Sequence, residues 1–186
     1  LLTASSKMLI VDDEPASLTL MKNLLFNKGY SVITAQSAEE ALAHLKDSEE
    51  IRLMLIDGDM CEKNDFRLIP AIRQTRKKNQ LSIMPLCEKS KEYQRITLLR
   101  NGVNDCIDKP FIIEEFHARV MNNLQLIELL KDLTELSTRD YMTGLYNRRH
   151  FYEIGKKLYE NFKRGDLQLI LALIDIDHLK TINDTY

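Results

Sequence analysis

A chain of 186 residues, 44% apolar and 29% charged, has room for one or two domains with packed cores. Its 26 basic and 28 acidic side chains leave a formal net charge of −2, which gives no electrostatic footprint for nucleic acid or an anionic membrane. No apolar run approaches the ~20 residues of a membrane-spanning helix, and no secretory pattern opens the chain.

The three cysteines, Cys61, Cys87 and Cys106, are odd in number and lack metal-type spacing, so reduced thiols in a cytoplasmic protein are expected. The chain opens on Leu1 and stops at Tyr186 within a polar segment, so a piece of something longer is expected.

The first 110 residues alternate short apolar runs with longer amphipathic ones. Residues 8–11 form an apolar run ended by Asp12 and Asp13, and Pro15 stands where a first helical residue would, in a helix closing near Gly29. Residues 31–35 read as a second strand, and Ser37 with Glu40 has the spacing of a capping box opening a helix through Lys46. A third strand over residues 53–56 ends at Asp57. A helix is expected over 66–77, a strand over 82–86, a helix over 92–100 closed by Asn101-Gly102, and a fifth strand over 103–107.

Strands alternating with helices call for a parallel sheet covered on both faces, with its chemistry at the carboxyl ends of the strands. Asp12, Asp13, Asp57 and Lys109 all fall at such ends and converge on one rim.

Beyond Pro110, Ile113, Phe116, Val120, Leu124, Ile127, Leu130, Leu133 and Leu136 recur every three or four residues. They read as one apolar stripe on a connecting helix of roughly 25 residues, about 37 Å long. After Ser137 come a turn-rich stretch, a helix over about 148–163 ending at Gly165, an apolar strand over 167–174 ended by Asp175, Ile176 and Asp177, and a helix starting near His178.

Clustered carboxylates repel one another, and a hard divalent cation such as Mg²⁺ relieves that repulsion while leaving positions for phosphate oxygens. A carboxylate beside that cation can attack a phosphoryl donor, and a nearby ammonium can hold the added group.

The segments "MLIVDDEPASL", "LMLIDGDM" and "NGVNDCIDKPF" resemble a two-component response-regulator receiver domain over residues 7–122. The resemblance implies a flavodoxin-like five-stranded parallel sheet of order 2-1-3-4-5 with helices on both faces. It also implies Asp57 as phosphoacceptor, and Asp12, Asp13, Asp57 and the Asp59 backbone carbonyl as Mg²⁺ ligands. Lys109 becomes the phosphoryl partner, followed by a peptide bond to Pro110 that is usually cis, and a histidine kinase or phosphotransfer protein becomes the expected partner.

Two positions depart from that pattern. Cys87, or Leu86 in a slightly different register, stands where a Ser or Thr ends strand four, and Cys106 replaces an aromatic residue of strand five. A thiol is a weak donor, so phosphoryl acceptance can persist while transmission along this route weakens. The two cysteines are read either as small buried hydrophobes or as a redox pair, the latter needing Cα atoms within about 7 Å. Cys61 replaces a frequent proline, and the Asp59 carboxylate beside the phosphorylation site is expected to tune its rate.

"LSTRDYMTGLYNRRHF" and "LILALIDIDHLKTINDTY" resemble the opening of a diguanylate cyclase (GGDEF) domain, a truncated α/β cyclase domain over about 48 residues. That resemblance implies Asp175 and the Ile176 carbonyl as Mg²⁺ ligands, Lys180 as the transition-state cation and Asn183 as a guanine contact. Asp140 and Arg148 match positions shaping the opening turn, and Leu179 stands where phenylalanine is usual. The Gly-Gly-Asp/Glu-Glu-Phe loop does not occur, so this polypeptide is expected to lack cyclase activity, with GTP bound only by an intact cyclase.

The expected organisation is a receiver over 1–122, a helical linker over 123–138 and a cyclase fragment over 139–186. The expected function is the regulatory part of a response-regulator diguanylate cyclase controlling cyclic di-GMP synthesis, with a homodimer through the linker helix. The alternative is a phosphorylation-independent interaction or dimerisation module. A haloacid-dehalogenase-type phosphatase, suggested by Asp57-Gly58-Asp59, fits poorly because that family places its nucleophilic strand first.

Overall fold

The computed structural model describes residues 6–165, 168–175, 177–178 and 184. The chain divides into two compact units, Leu1–Thr134 and Glu135–Tyr186.

The first unit runs β1 (Lys7–Val11), α1 (Pro15–Phe26), β2 (Ser31–Ala35), α2 (Ala38–Asp47), β3 (Ile51–Asp57), α3 (Gly58–Lys63), α4 (Leu68–Thr75), β4 (Ser82–Glu88), α5 (Glu92–Arg100), β5 (Ile107–Lys109) and most of α6 (Ile113–Thr138). Its strands form one five-stranded parallel sheet of order β2-β1-β3-β4-β5, a flavodoxin-like arrangement. Side-chain alternation splits the core in two. Met8, Ile10, Leu53, Leu55, Met84 and Leu86 pack under α1 and α6, whereas Leu9, Val11, Met54, Ile56, Ile83 and Cys87 pack under α2 to α5.

Local chemistry sets several boundaries as the sequence predicts. Pro15 opens α1, and the Ser37 side chain accepts from the Glu40 amide while Glu40 reaches back to the Gln36 amide at 2.7 Å.

Two expected elements of this unit need correction. In place of one helix over 66–77, the chain forms α3 directly after Asp57 and then α4 from Leu68. Pro70 explains the late start, since proline is tolerated only within a first helical turn, and Asp65 and Phe66 adopt positive φ between the two helices. The fifth strand covers only Ile107–Lys109, so Cys106 lies just before it. Upstream, the Asn104 side chain takes the rung that a strand would use, accepting from the Ile83 amide at 3.0 Å, while Asp105 Oδ1 accepts from the Cys106 amide at 2.8 Å.

The connecting helix carries two stripes rather than one. Phe116, Val120, Leu124 and Ile127 are buried against the first unit, whereas Leu126, Leu129 and Leu133 are 50%, 60% and 61% exposed.

In the second unit, α7 (Arg148–Arg164) is capped by the Asn147 side chain on the His150 amide and closed by left-handed Gly165. Before it, Asp140 Oδ1 accepts from the Thr143 amide and hydroxyl, and Arg139 bridges Tyr146. The expected strand over 167–174 is not formed in its described part: residues 168–175 have no regular structure, and Leu171 and Leu173 are 77% and 98% exposed. Among the described residues no strand of this unit is available to take its backbone hydrogen bonds, which a strand requires.

Candidate phosphoacceptor site

The parallel register builds the rim. Val11 pairs with Ile56, so Asp12 comes level with Asp57 at the ends of neighbouring strands. Asp57 pairs with Leu86 of β4, and Lys109 pairs with Glu88 two positions further along. The long Lys109 side chain crosses above β4 and its Nζ pairs with Asp57 Oδ1. The peptide bond from Lys109 to Pro110 is cis.

Asp57 is 9% exposed, and its second oxygen accepts from the amides of Asp59 at 3.1 Å and Met60 at 3.3 Å. Those bonds fix the carboxylate plane, leaving one oxygen facing the lysine. Asp12 is 7% exposed and accepts from the Glu14 amide at 2.9 Å and the Ser17 hydroxyl at 2.5 Å. Asp13 is half-exposed and pairs with Lys63, and Asp59 takes Lys91 Nζ at 2.7 Å.

Each charge shift has a local cause. The Lys63 hydrogen bond holds the Asp13 carboxyl below its ordinary range, and Lys91 followed by Gln94 does the same for Asp59. Burial alone would depress Lys109, but its bond to Asp57 and the charges of Asp57, Asp12 and Asp59 outweigh that and hold it up. Asp13, Asp59 and Lys109 are therefore charged at neutral pH.

Asp12, Asp13 and Asp57 offer hard carboxylate oxygens, the donor type Mg²⁺ selects. No cage of three or more metal-ligating side chains stands ready among the described residues. Mg²⁺ needs none, since it keeps several waters and is held by one or two carboxylates plus phosphate oxygens. The donor set therefore fits that ion.

Cys87, Cys106 and Cys61 are all buried in the same half of the core. Leu86 points to the opposite half, and Cys87 Sγ lies beside Gly58, where an added Cβ would stand 3.1 Å from it. The neighbouring Cys87, followed by burial, keeps the Cys106 thiol protonated, and burial pushes Cys61 up to about 12. Cys87 pairs in register with Asp108, two residues past Cys106. Cys87 and Cys106 are both free thiols, buried as neighbours in the same half of the core.

Sequence reasoning did not anticipate Lys63, Lys91, Ser17 or Gln94 around this rim. Ser17 carries a faint signal, one helical turn into α1 below Asp12; the lysines carry none. Of the expected cyclase residues, Asp175 lies in the irregular 168–175 segment, while Ile176, Lys180 and Asn183 fall outside the described residues.

Fold and rim define a flavodoxin-like regulatory domain with an acid-lysine pocket at the strand ends. The chain belongs to the response regulator receiver family, whose model matches residues 8–121. The model of the diguanylate cyclase GGDEF domain matches residues 137–186, so the two are fused in one polypeptide.

The chain is 37% identical over 115 residues to the transcriptional regulatory protein CpxR of Escherichia coli strain K12, covering 62% of this chain and 47% of that protein. It is 26% identical over 187 residues to the response regulator PleD of Caulobacter vibrioides strain NA1000, covering 97% of this chain and 40% of that protein. A probable two-component system response regulator/GGDEF domain protein of solved structure superposes with a TM-score of 0.63 at 33% identity, over 67% of this chain and 51% of that one. The chain thus spans about half the length, or less, of these curated relatives.

Proposed function

We propose that this chain is the receiver and regulatory part of a response-regulator diguanylate cyclase, in which phosphorylation of Asp57 controls cyclic di-GMP synthesis from GTP. The observation that carries the reading is the nearly buried Asp57 carboxylate, paired with Lys109 and level with Asp12 on one strand-end rim. In the proposed reaction an Asp57 oxygen forms a bond to phosphorus as the bond to a histidine nitrogen of a kinase or phosphotransfer protein breaks. The electron pair leaves with that nitrogen, which takes a proton.

The amides of Asp59 and Met60 orient the nucleophile, and Lys109 holds a phosphoryl oxygen after transfer. Asp12, Asp13, Asp57 and the Asp59 carbonyl would hold Mg²⁺, which when bound offsets charge on the phosphoryl oxygens. GTP chemistry belongs to an intact cyclase domain, through Asp175, the Ile176 carbonyl, Lys180 and Asn183.

The domain reading is a receiver over 1–122, a linker over 123–138 and cyclase sequence over 139–186, in a cytoplasmic protein. No helix among the described residues is long and apolar enough to cross a membrane.

A homodimer through α6 completes the reading. Leu126, Leu129 and Leu133 are spaced by three and four residues, a spacing that Leu136 continues, as in the a and d positions of a coiled coil. Intact-mass spectrometry after treatment with acetyl phosphate and Mg²⁺ tests the acceptor. One added phosphoryl group is expected, lost in Asp57→Asn; an unmodified wild-type chain, or a modified Asp57→Asn chain, overturns the assignment.

A further inference from the structure

The acidic rim touches α5 through Gln94 and the Lys91 that precedes the helix. α5 buries only Gln94 and Leu98, so Gln94 is one of the two side chains it sets into the domain. Gln94 is 2% exposed, and its Nε2 donates to Asp59 Oδ1 at 2.9 Å and Glu62 Oε2 at 3.0 Å. Its Oε1 is buried without a hydrogen-bond partner and presses on Gly58, where an added Cβ would stand only 2.7 Å away. Turning the amide over would aim its oxygen at two carboxylates, so the observed orientation is the one that electrostatics favours.

Two flanking ion pairs tie the same end of the helix. Lys91 reaches Asp59 at 2.7 Å, and Arg95 reaches Asp108 of β5 at 2.7 Å. The amino-terminal half of α5 is therefore held by polar contacts to Asp59, two residues after Asp57, and to Glu62 and Asp108. Such bonds weaken steeply once misaligned, so small displacements there release contacts rather than stretch them.

We propose that Gln94 is the positioning residue through which occupancy of the Asp57 pocket sets the placement of α5. The inference rests on the reading of Asp57 as phosphoacceptor. A phosphoryl group on Asp57 brings a charge of about −1.5 to −2 close to the Asp59 carboxylate. Asp59 Oδ1 holds Gln94 and Lys91 together, so repulsion of that one carboxylate loosens both contacts at once. Gly58 lets the amide lie against the backbone next to the acceptor, where any movement of that backbone reaches it directly.

The test uses the full chain with Mg²⁺ and beryllofluoride, a phosphoryl mimic. Fluorine NMR reports occupancy of Asp57, and hydrogen–deuterium exchange over residues 92–100 reports α5. The readout is the ratio of exchange rates with and without the mimic, which a purely structural role of Gln94 would leave unchanged. In the wild type this ratio should reach about fivefold, the low end of ordinary site-to-site coupling. In Gln94→Leu the mimic should still bind while the ratio falls toward one.

A wild-type ratio in Gln94→Leu, or no α5 response in an occupied wild-type protein, overturns the proposal. Absence of a bound-mimic signal in the wild type overturns instead the reading of Asp57. If Gln94→Leu does not fold, Lys91→Met serves: its ratio should fall below that of the wild type, and an undiminished ratio overturns the inference.

Discussion

The exposed leucines of α6 allow a worked prediction. Leu126, Leu129, Leu133 and Leu136 are 50%, 60%, 61% and 76% exposed, equivalent to roughly two and a half fully exposed leucines per chain. Complete burial of a leucine contributes about 1.5–3 kcal/mol, so a seam formed by two copies gains about 7–15 kcal/mol before other terms. Association itself costs about 4–15 kcal/mol. Even the most favourable combination leaves about 11 kcal/mol, so the seam should support a reversible dimer with a Kd no tighter than about 10 nM.

Leu133→Glu removes one leucine from each helix and sets two carboxylates against each other across the seam. The lost burial alone, about 2–4 kcal/mol, should weaken the dimer by roughly 30-fold or more. The monomer should be little affected, because surface substitutions usually change stability by about 0.5 kcal/mol or less. Sedimentation equilibrium over a wide concentration range measures the change, with far-ultraviolet dichroism as control for helix content. A dissociation constant within twofold of the wild type, with helicity preserved, would refute the seam.

Two other predictions concern the pocket. The Asp13 and Asp59 carboxyls lie below their ordinary value of 3.8, so their pairs with Lys63 and Lys91 contribute stability that is present above that value and fades as pH falls through the lower folded values. Urea midpoints measured from pH 6 down to pH 3 should therefore fall more steeply for the wild type than for Asp59→Asn; parallel curves would show that the Asp59 pair adds nothing. Gly58→Ala places a methyl 2.7 Å from Gln94 Oε1 and 2.9 Å from the Leu86 carbonyl oxygen, and backbone cannot yield cheaply. It should destabilise the domain by about 1–3 kcal/mol in denaturant titration, and a change below 0.5 kcal/mol would mean that the segment shifts freely.

What the sequence disclosed follows the range of the interactions involved. Pro15, the Ser37–Glu40 pair and Gly165 act within one turn of chain, and their elements begin or end as expected. Asp12, Asp57 and Lys109 were legible because a parallel sheet delivers every strand end to the same edge. The short β5 was not, because it depends on Asn104 meeting Ile83 across 21 positions of sequence. Nor were Lys63 and Lys91 recognisable as partners of Asp13 and Asp59, since nothing local distinguishes them from other surface lysines. On α6, periodicity marked apolar positions correctly but could not say which of them another element covers.

The same distinction separates accepting a phosphoryl group from passing on the news. Acceptance needs charges held at one rim, and the sheet supplies them whatever occupies the two cysteine positions. Transmission needs a contact that differs between the two states. Cys87 and Cys106 are buried thiols, and a thiol is only a weak donor to a phosphoryl oxygen. Gln94 has the opposite character: a buried amide with one end bound to two carboxylates and the other unmatched. A group with an unmet acceptor gains from any rearrangement that brings it a donor. On the proposed reading, the polar contacts of α5 rather than the buried thiols are the ones whose energy changes when Asp57 is phosphorylated.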